Sequence, residues 1–331
     1  WRDDVFLLEE QPSGTLAWNN ASTKLPRPMG HGMSFSTAKG IIVVGGADSE
    51  RCYSDVFRFA WDPQRRVLQQ SALPSLPAPL AFMSGAKVGE VLYLTGGQHR
   101  TQNAPLEPVF WSLDLRQENQ PDFRWRKLPA WPGPGRILPV AVRQVHEGRE
   151  QLFLFSGRIP GVNQPTTLLS DAYVFDPSTG LWKTLGPIGG GEGICVMAGN
   201  ALTTKEGDIL LVGGSRGARF LQLENYDLTL ARLRKQSETA SPERSAELKA
   251  TMEEILQKKL SIHQTHTGFS REILRLHPAT GTWSTLDPLP FECPVTTLAV
   301  PWKEAWVIPS GETQPGVRTP RILRARVRVA P

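Results

Sequence analysis

The sequence predicts an all-β fold built from repeated sheets, and three observations carry that prediction. Short apolar runs end five times in a Gly-Gly pair or in a small residue followed by Gly. After most of these runs, a loop leads to a second run that is rich in aromatic and β-branched residues. Two of the second runs turn at Pro-x-Thr-Gly and enter a third run that is marked by a Trp. One order of elements therefore recurs along the chain.

The five glycine-terminated runs are predicted to be central strands of separate sheets. They are Ile41–Gly46, Val91–Gly97, Leu152–Gly157, Ile209–Gly214 and Ala305–Gly311. Glycine at the strand end would let neighbouring sheets crowd around a central axis, where side chains would clash. Each Trp would fill the wedge between adjacent sheets. This order is typical of the four-stranded blade of a kelch-type β-propeller, whereas a β-sandwich with Gly-rich turns does not predict five repetitions.

Counting the repeats predicts a single six-bladed propeller domain over residues 1–331. The chain begins at Trp1 with a strand pair that corresponds to the last two strands of a blade. It ends with the second strand type of the last blade. We therefore expect the first part of the first blade to belong to an N-terminal portion missing from this chain. That portion would supply the remaining strands and close the ring.

One blade is expected to carry a helical insertion at residues 218–268, a stretch far longer than the corresponding loops elsewhere. Ser241 suits the N-cap of a helix, with Pro242 at the first helical position. An apolar stripe at helical spacing follows, made of Leu248, Met252, Ile255, Leu256 and Leu260. We expect this stripe to be a packing face. A helical hairpin here would cover one face of the ring, as long ordered insertions often do.

Composition narrows the classes of function. The formal net charge is +5, but the positive residues are scattered and lack aromatic platforms, so we expect no nucleic-acid binding. No apolar run reaches about 18 residues, so we expect no membrane span. Three widely separated cysteines, together with His263 and His266, indicate neither a disulfide framework nor a metal site. No cofactor-binding motif occurs, and we expect no cofactor.

The loops after the glycine-terminated strands should gather on one face of the ring, around the central channel. Each loop has an arginine within a few residues of its glycine. The predicted substrate-binding residues are Arg51, His99, Arg100, Arg158 and Arg216. Any one of these arginines could be an ordinary solvated loop charge. Arginines from all five loops at one mouth favour an anion-binding cavity, because guanidinium groups bind carboxylates through two parallel hydrogen bonds.

The last of these loops, PSGETQPGVRT, has a carboxylate directly after its glycine. Glu312 and Arg318 are the predicted catalytic residues, with the Pro-Gly turn returning Arg318 toward Glu312. A carboxylate surrounded by arginines suits a general base. The alternative is a structural ion pair across the turn.

The motif Ser-Gly-Glu-x-x-Pro-Gly-x-Arg-Thr at 310–319, after a blade with a long helical insertion, resembles the sialic acid mutarotase (N-acetylneuraminate epimerase) family. The family has Asn where this chain has Ser310. Because the Glu-bearing blade is C-terminal here, the order of blades resembles a cyclically permuted branch. The resemblance implies a propeller that interconverts the α- and β-anomers of N-acetylneuraminic acid or a related anionic sugar, without a cofactor. It also implies a periplasmic or otherwise exported protein, with Glu312 and Arg318 as the active pair.

Two other functions remain open from the residues. Kelch rings often bind a protein or a glycan without catalysis, and a lyase or an oxidase on this scaffold is a further alternative. The Glu–Arg motif and the inserted helices favour the mutarotase. The oligomeric state is not predicted.

Overall fold

The computed structural model describes residues 1–100, 106–161 and 164–327. Within these segments the strands form six antiparallel sheets, which we number blades 1 to 6 in chain order. Blades 2 to 5 have four strands, blade 6 has three, and blade 1 has two. The all-β prediction is confirmed, and so is the expectation that the chain begins with a strand pair.

The bounds of the strands follow the repeats seen in the sequence. Blade 1 has β1 (Arg2–Glu10) and β2 (Leu16–Met29); blade 2 has β3 (Met33–Thr37), β4 (Gly40–Val44), β5 (Val56–Asp62) and β6 (Val67–Ala72); blade 3 has β7 (Ser84–Val88), β8 (Val91–Thr95), β9 (Phe110–Asp114) and β10 (Arg126–Lys127). Blade 4 has β11 (Val140–His146), β12 (Arg149–Ile159), β13 (Thr167–Asp176) and β14 (Leu181–Pro187); blade 5 has β15 (Asn200–Thr203), β16 (Ile209–Val212), β17 (Ile273–His277) and β18 (Thr282–Leu286); blade 6 has β19 (Val300–Trp302), β20 (Ala305–Gln314) and β21 (Val317–Ala325).

Side-chain contacts link each blade to the next around a closed circle. They join Thr23 to Leu68, Arg58 to Glu118, Ser84 to Ala141, Gln144 to Asp208, Lys205 to Glu304, and Lys303 to Glu10. The last pair connects blade 6 to blade 1, which lie at opposite ends of the sequence. The six sheets therefore form a ring, as a β-propeller requires.

The Trp-marked strands lie where the repeats predict them, between adjacent blades. An indole Nε1 donates to a proline carbonyl of the preceding blade, from Trp125 to Pro74 (3.1 Å), from Trp182 to Pro129 (3.2 Å) and from Trp18 to Pro320 (3.4 Å). Trp283 reaches the preceding blade through an edge-on contact with Phe155. Each Trp thus anchors its blade to the one before it, and Trp18 does so across the junction of blades 1 and 6.

The apolar core lies between the blades. Ile42 of blade 2 and Leu92 of blade 3 are fully buried within one cluster, and Phe153 of blade 4 shares another with Ile209 of blade 5. Burying a side chain of this size contributes about 1.5–3 kcal/mol. The rigidity of the ring therefore comes from contacts between sheets, and these contacts hold the loops at its rim in fixed positions.

The helical insertion consists of α1 (Ala218–Glu238) and α2 (Pro242–Gln264), which pack against each other. Ser241 is the N-cap of α2, since its Oγ accepts a hydrogen bond from the Arg244 N–H, and Pro242 follows it. These two predictions are confirmed. Neither α1 nor α2, the two α-helices within the described segments, is long and apolar enough to cross a membrane.

The apolar stripe on α2 is a packing face only in part. Leu248 and Ile255 are buried, together with Leu230 of α1. Leu256 and Leu260 are 41% and 49% exposed, so the prediction was wrong for these two residues. A two-helix hairpin buries only the side of each helix that faces its partner, and the adjoining side stays in solvent.

Candidate functional site

Five residues at the starts of the inner strands of blades 2 to 6 form a ring around the propeller axis. They are His31, Phe82, Leu138, Ala198 and Thr296, and each has a φ between 54° and 60°. The backbone N–H of each of the last four donates to the carbonyl of the one before it, at 2.8–3.2 Å. We call this set the mouth ring. Its hydrogen bonds fix where each blade presents its loops.

The residue after each glycine-terminated strand pairs with the residue before a member of the mouth ring. The pairs are Ala47 with Gly30, Gln98 with Ala81, Arg158 with Ile137, Ser215 with Met197, and Glu312 with Val295. The first residue of each pair therefore occupies the same place in its blade. Arg158 and Glu312 are the two charged residues among these five.

The strand that leads to Glu312 ends in a backbone conformation that few residues adopt. Ser310 has a φ of 84° and Gly311 a φ of 127°. A Cβ at Gly311 would lie 2.6 Å from the Pro294 Cβ, which is too close. The prediction that a side chain would clash at this strand end is therefore correct for Gly311. It is incomplete, because the positive φ also favours glycine. Together these features turn the chain so that Glu312 reaches the mouth.

Glu312 and Arg318 lie opposite each other in the β20–β21 hairpin. Opposite residues of an antiparallel pair have their side chains on the same face. Arg318 Nη2 lies 4.0 Å from Glu312 Oε2, and the Gly316 N–H donates to Glu312 Oε1 at 2.7 Å. The Glu312 side chain is 21% exposed and that of Arg318 57% exposed. The carboxylate is thus fixed by its own turn, while the guanidinium stays open to a ligand.

Arg158 is the second cationic group of the mouth, and no ion pair binds it among the described residues. Its guanidinium carbon lies 4.4 Å from the centre of the Phe220 ring, at the start of α1. Its buried Nε has no hydrogen-bond partner. Burial lowers the pKa of Arg158, and Glu224 opposes that shift, but an arginine remains charged at neutral pH. An unpaired, half-buried guanidinium is suited to binding an anion.

Arg216 differs from Arg158 because its charge already has a partner. Its Nη2 forms an ion pair with Glu272, and its Nη1 donates to the Cys195 carbonyl at 3.4 Å. Burial lowers the pKa of Arg216 as well. To bind a substrate carboxylate, Arg216 would have to share its guanidinium with Glu272.

The other three predicted substrate-binding residues lie on exposed loops. Arg51 stacks over the Tyr53 ring at 5.4 Å. His99 Nδ1 lies 2.7 Å from the Pro79 carbonyl, and the His99 ring stacks on Trp111. Arg100 is exposed. Within the described segments, no contact joins these side chains to Glu312 or Arg318, so their role in binding stays a prediction.

The base of the helical hairpin borders the mouth on two sides. At its beginning, Phe220 lies against Arg158 of blade 4. At its end, the His266 carbonyl accepts a hydrogen bond from Gln314 Nε2 at 2.7 Å, and the Phe269 N–H donates to the Thr313 carbonyl at 3.2 Å. The insertion therefore spans from Arg158 to the Glu312 hairpin, although it emerges from blade 5.

His31 was missed by the sequence reasoning, which surveyed only the loops after the glycines. Its ring stacks on Phe82, with centroids 4.2 Å apart, and meets Trp1 edge-on at 5.5 Å. Burial lowers its pKa, and so does the positive charge of Arg318, while Glu312 opposes the shift. His31 and Thr296 both belong to the mouth ring, and Thr296 follows the Val295 that pairs with Glu312. The imidazole therefore lies on the same rim as the Glu312–Arg318 pair. His31 stands outside any motif, so nothing in the sequence indicated that it lies at the mouth.

No group of three or more His, Cys, Asp or Glu side chains in the described part of the chain could hold a metal ion. The three cysteines are free and buried. Burial raises the pKa of Cys52 and of Cys293 to about 11, so neither is a thiolate at neutral pH. The functional groups at the mouth are therefore carboxylate, guanidinium and imidazole.

Comparison with known proteins identifies the family. The family model for N-acetylneuraminate epimerase matches residues 73–329. The chain belongs to the N-acetylneuraminate epimerase family. The resemblance inferred from the Glu–Arg motif is thereby confirmed.

The individual relatives of this epimerase family are distant. The N-acetylneuraminate epimerase of Haemophilus influenzae (strain 86-028NP) is 25% identical over 74% of this chain and 57% of its own length. That of Brucella melitensis biotype 1 is 25% identical over 79% of this chain and 61% of its own length. The chain thus spans about 57–61% of these relatives. The solved structure of YjhT matches 98% of this chain and 89% of its own, with a TM-score of 0.66 and 17% identity, which supports the fold alone.

Proposed function

We propose that this protein is a mutarotase that interconverts the α- and β-anomers of N-acetylneuraminic acid, or of a related anionic sugar, by opening and closing the sugar ring. The observation that carries the proposal is the Glu312–Arg318 pair, held on one face of a hairpin at the mouth. Arg158, which has no ion pair among the described residues, occupies the equivalent position on blade 4. Membership of the N-acetylneuraminate epimerase family supports the choice of sugar.

Glu312 has the role of proton acceptor in this proposal. Its two neighbours, the Gly316 N–H and Arg318, are both donors, so the carboxylate keeps lone pairs for a sugar hydroxyl. Glu312 takes the proton of the anomeric hydroxyl, the bond between the anomeric carbon and the ring oxygen breaks, and the ring oxygen gains a proton. The product is the open-chain ketone. Rotation and reclosure on the other face of the ketone then give the second anomer. General base catalysis typically contributes about 10²–10⁴-fold, which suits a reaction that also proceeds in water.

The sugar carboxylate would bind the cationic side of the mouth. Arg318 is more than half exposed and Arg158 has no ion pair among the described residues, so both can bind it. Arg216, Arg51, Arg100 and His99 remain further proposed contacts. The proposed reaction consists of proton transfers that protein groups can carry out, and it needs no cofactor. On the resemblance, we propose an exported, for example periplasmic, enzyme.

The test is NMR of freshly dissolved N-acetylneuraminate enriched in one anomer, followed with and without the protein. We expect micromolar protein to shorten the time to anomeric equilibrium in proportion to its concentration. An unchanged exchange rate, measured at a pH where spontaneous exchange is slow, would contradict the proposal. Binding of the sugar without faster exchange would instead favour a non-catalytic glycan-binding propeller.

A further inference from the structure

His31 occupies an unusual place among the titratable groups of the mouth. It is the one member of the mouth ring with an ionisable side chain. Its backbone is held by its carbonyl, which accepts a hydrogen bond from the Phe82 N–H at 2.9 Å. Its ring is held by the stack on Phe82 and by the edge of Trp1. The imidazole is therefore positioned by carbon contacts that leave its nitrogens available.

No side-chain hydrogen bond to either nitrogen of His31 occurs within the described segments. His266 and His277, by contrast, use a ring nitrogen for a contact inside the protein. A half-buried imidazole without an internal partner, on a rim that also carries a carboxylate and a guanidinium, is typical of a group that exchanges protons with a ligand.

We propose that His31 is the second proton-transfer residue of this site, acting on the ring oxygen of the sugar while Glu312 acts on the anomeric hydroxyl. The inference rests on the mutarotase function proposed above and supplies the acid that this reaction lacks. Arg318 cannot fill that role, because a guanidinium does not lose its proton at neutral pH.

The step balances with these two groups. Glu312 takes the proton of the anomeric hydroxyl, whose oxygen becomes the ketone oxygen. The bond between the anomeric carbon and the ring oxygen breaks, and the ring oxygen takes the proton of the His31 imidazolium. After the ketone rotates, neutral His31 takes that proton back as the hydroxyl attacks, and protonated Glu312 returns its proton to the ketone oxygen. Both residues end as they began.

Arg318 and Glu312 are the charged groups that shift the pKa of His31, in opposite directions. Arg318 disfavours the imidazolium, so a sugar carboxylate that neutralises Arg318 should favour it. The acid form of His31 would then be more populated with substrate bound than in the free protein. This gives a signature that a purely structural histidine would not have.

The decisive experiment measures anomer exchange from pH 4.5 to 8 for the wild type and for His31→Asn. Asparagine tolerates the left-handed backbone of this position but transfers no proton. His146→Asn, at the end of β11 away from the mouth ring, is the matched control. We expect kcat of His31→Asn to fall about 100-fold with little change in KM. We also expect it to lose the decline of activity on the alkaline side that the wild type and the control retain.

A measurement on the wild type keeps the inference testable if His31→Asn fails to fold. In protein labelled in its histidine rings, the apparent pKa of His31 should rise when N-acetylneuraminate is added. Normal activity and an unchanged pH profile in His31→Asn, or a His31 pKa that the sugar does not move, would overturn the inference and leave the mutarotase itself intact. A wild type that does not accelerate exchange would overturn both.

Discussion

Arg158 and Glu312 make the same pair of backbone hydrogen bonds on two different blades. Each exchanges N–H···O=C bonds with the residue before a mouth-ring member, Arg158 with Ile137 at 3.0 and 2.9 Å and Glu312 with Val295 at 3.0 and 2.9 Å. One structural position thus carries a carboxylate on blade 6 and a guanidinium on blade 4. Substitutions at Glu312 and at Arg158 test whether the first acts as a base and the second binds an anion.

Glu312→Gln should abolish most of the acceleration of anomer exchange. The amide keeps the size of the side chain but is a poor proton acceptor, so we expect a loss of about 10²–10⁴-fold in kcat. Exchange NMR measures the rate, and Glu304→Gln, in an exposed pair with Lys205, is the control. Full activity in Glu312→Gln would remove this residue from the mechanism.

Arg158→Gln should weaken substrate binding more than it slows the chemical step. Hydrogen bonds to charged groups contribute about 1.5–3 kcal/mol, so we expect KM to rise about 10- to 100-fold, with kcat nearly unchanged. Arg143→Gln, which removes an exposed partner of Glu150, is the matched control. An unchanged KM in Arg158→Gln would show that the substrate carboxylate binds elsewhere.

The contact of Glu118 with Arg58 makes the junction of blades 2 and 3 sensitive to acid. Hydrogen bonds from Arg58 and Lys39 hold the pKa of Glu118 near 2, below its ordinary value of 4.5. Because the folded-state pKa is depressed, this stabilisation is fully present above about pH 4.5 and is lost as the pH falls toward 2. Glu118→Gln should therefore lower the free energy of unfolding by about 1.5–3 kcal/mol at pH 7.

Denaturant unfolding of the wild type and of Glu118→Gln at a series of pH values checks this prediction. The difference between the two should shrink as the pH drops from 4.5 to 2. Lys205→Gln, in a pair that is more than 80% exposed on both sides, should change stability little at any pH. A constant difference across the pH series would mean that Glu118 stabilises the junction through packing.

Two neighbouring substitutions test the backbone that leads to Glu312. Ser310→Gly should stabilise the fold by about 1 kcal/mol, because a left-handed backbone costs an ordinary residue about 1–2 kcal/mol. Gly311→Ala should destabilise it, since the new Cβ would lie 2.6 Å from the Pro294 Cβ. Thermal unfolding measures both. If both variants melted at the temperature of the wild type, the backbone conformation at Ser310 and Gly311 would have no effect on stability.

Much of this fold could be predicted from the sequence, because the features that define it are short sequence patterns, and most of them recur in several blades. A glycine with positive φ, a Trp in the outer strand and a capped helix each follow from a few neighbouring residues. The exposure of Leu256 and Leu260 could not be predicted, since it depends on how much of α2 its partner covers.

The candidate site was harder to predict from the sequence, because residues of different blades come to one rim only when the ring has formed. Glu312 and Arg318 face each other within one hairpin, and their pairing could be read from the turn. His31 lies near the other end of the chain and shares the rim with them because the ring closes between blades 6 and 1. The pairing of Arg216 with Glu272 depends on a strand that resumes after the whole helical insertion.

The mouth ring has a consequence for how such a site can change. Its hydrogen bonds, and those of the bridges beside it that hold Ala47, Gln98, Arg158, Ser215 and Glu312, run through backbone atoms alone, so they do not depend on the side chains of these five bridge residues. A side chain at one of these five bridge positions can be exchanged while the backbone hydrogen bonds stay in place. Protein engineers could therefore move an acid or an arginine from the bridge position of one blade to that of another while the backbone frame stays constant.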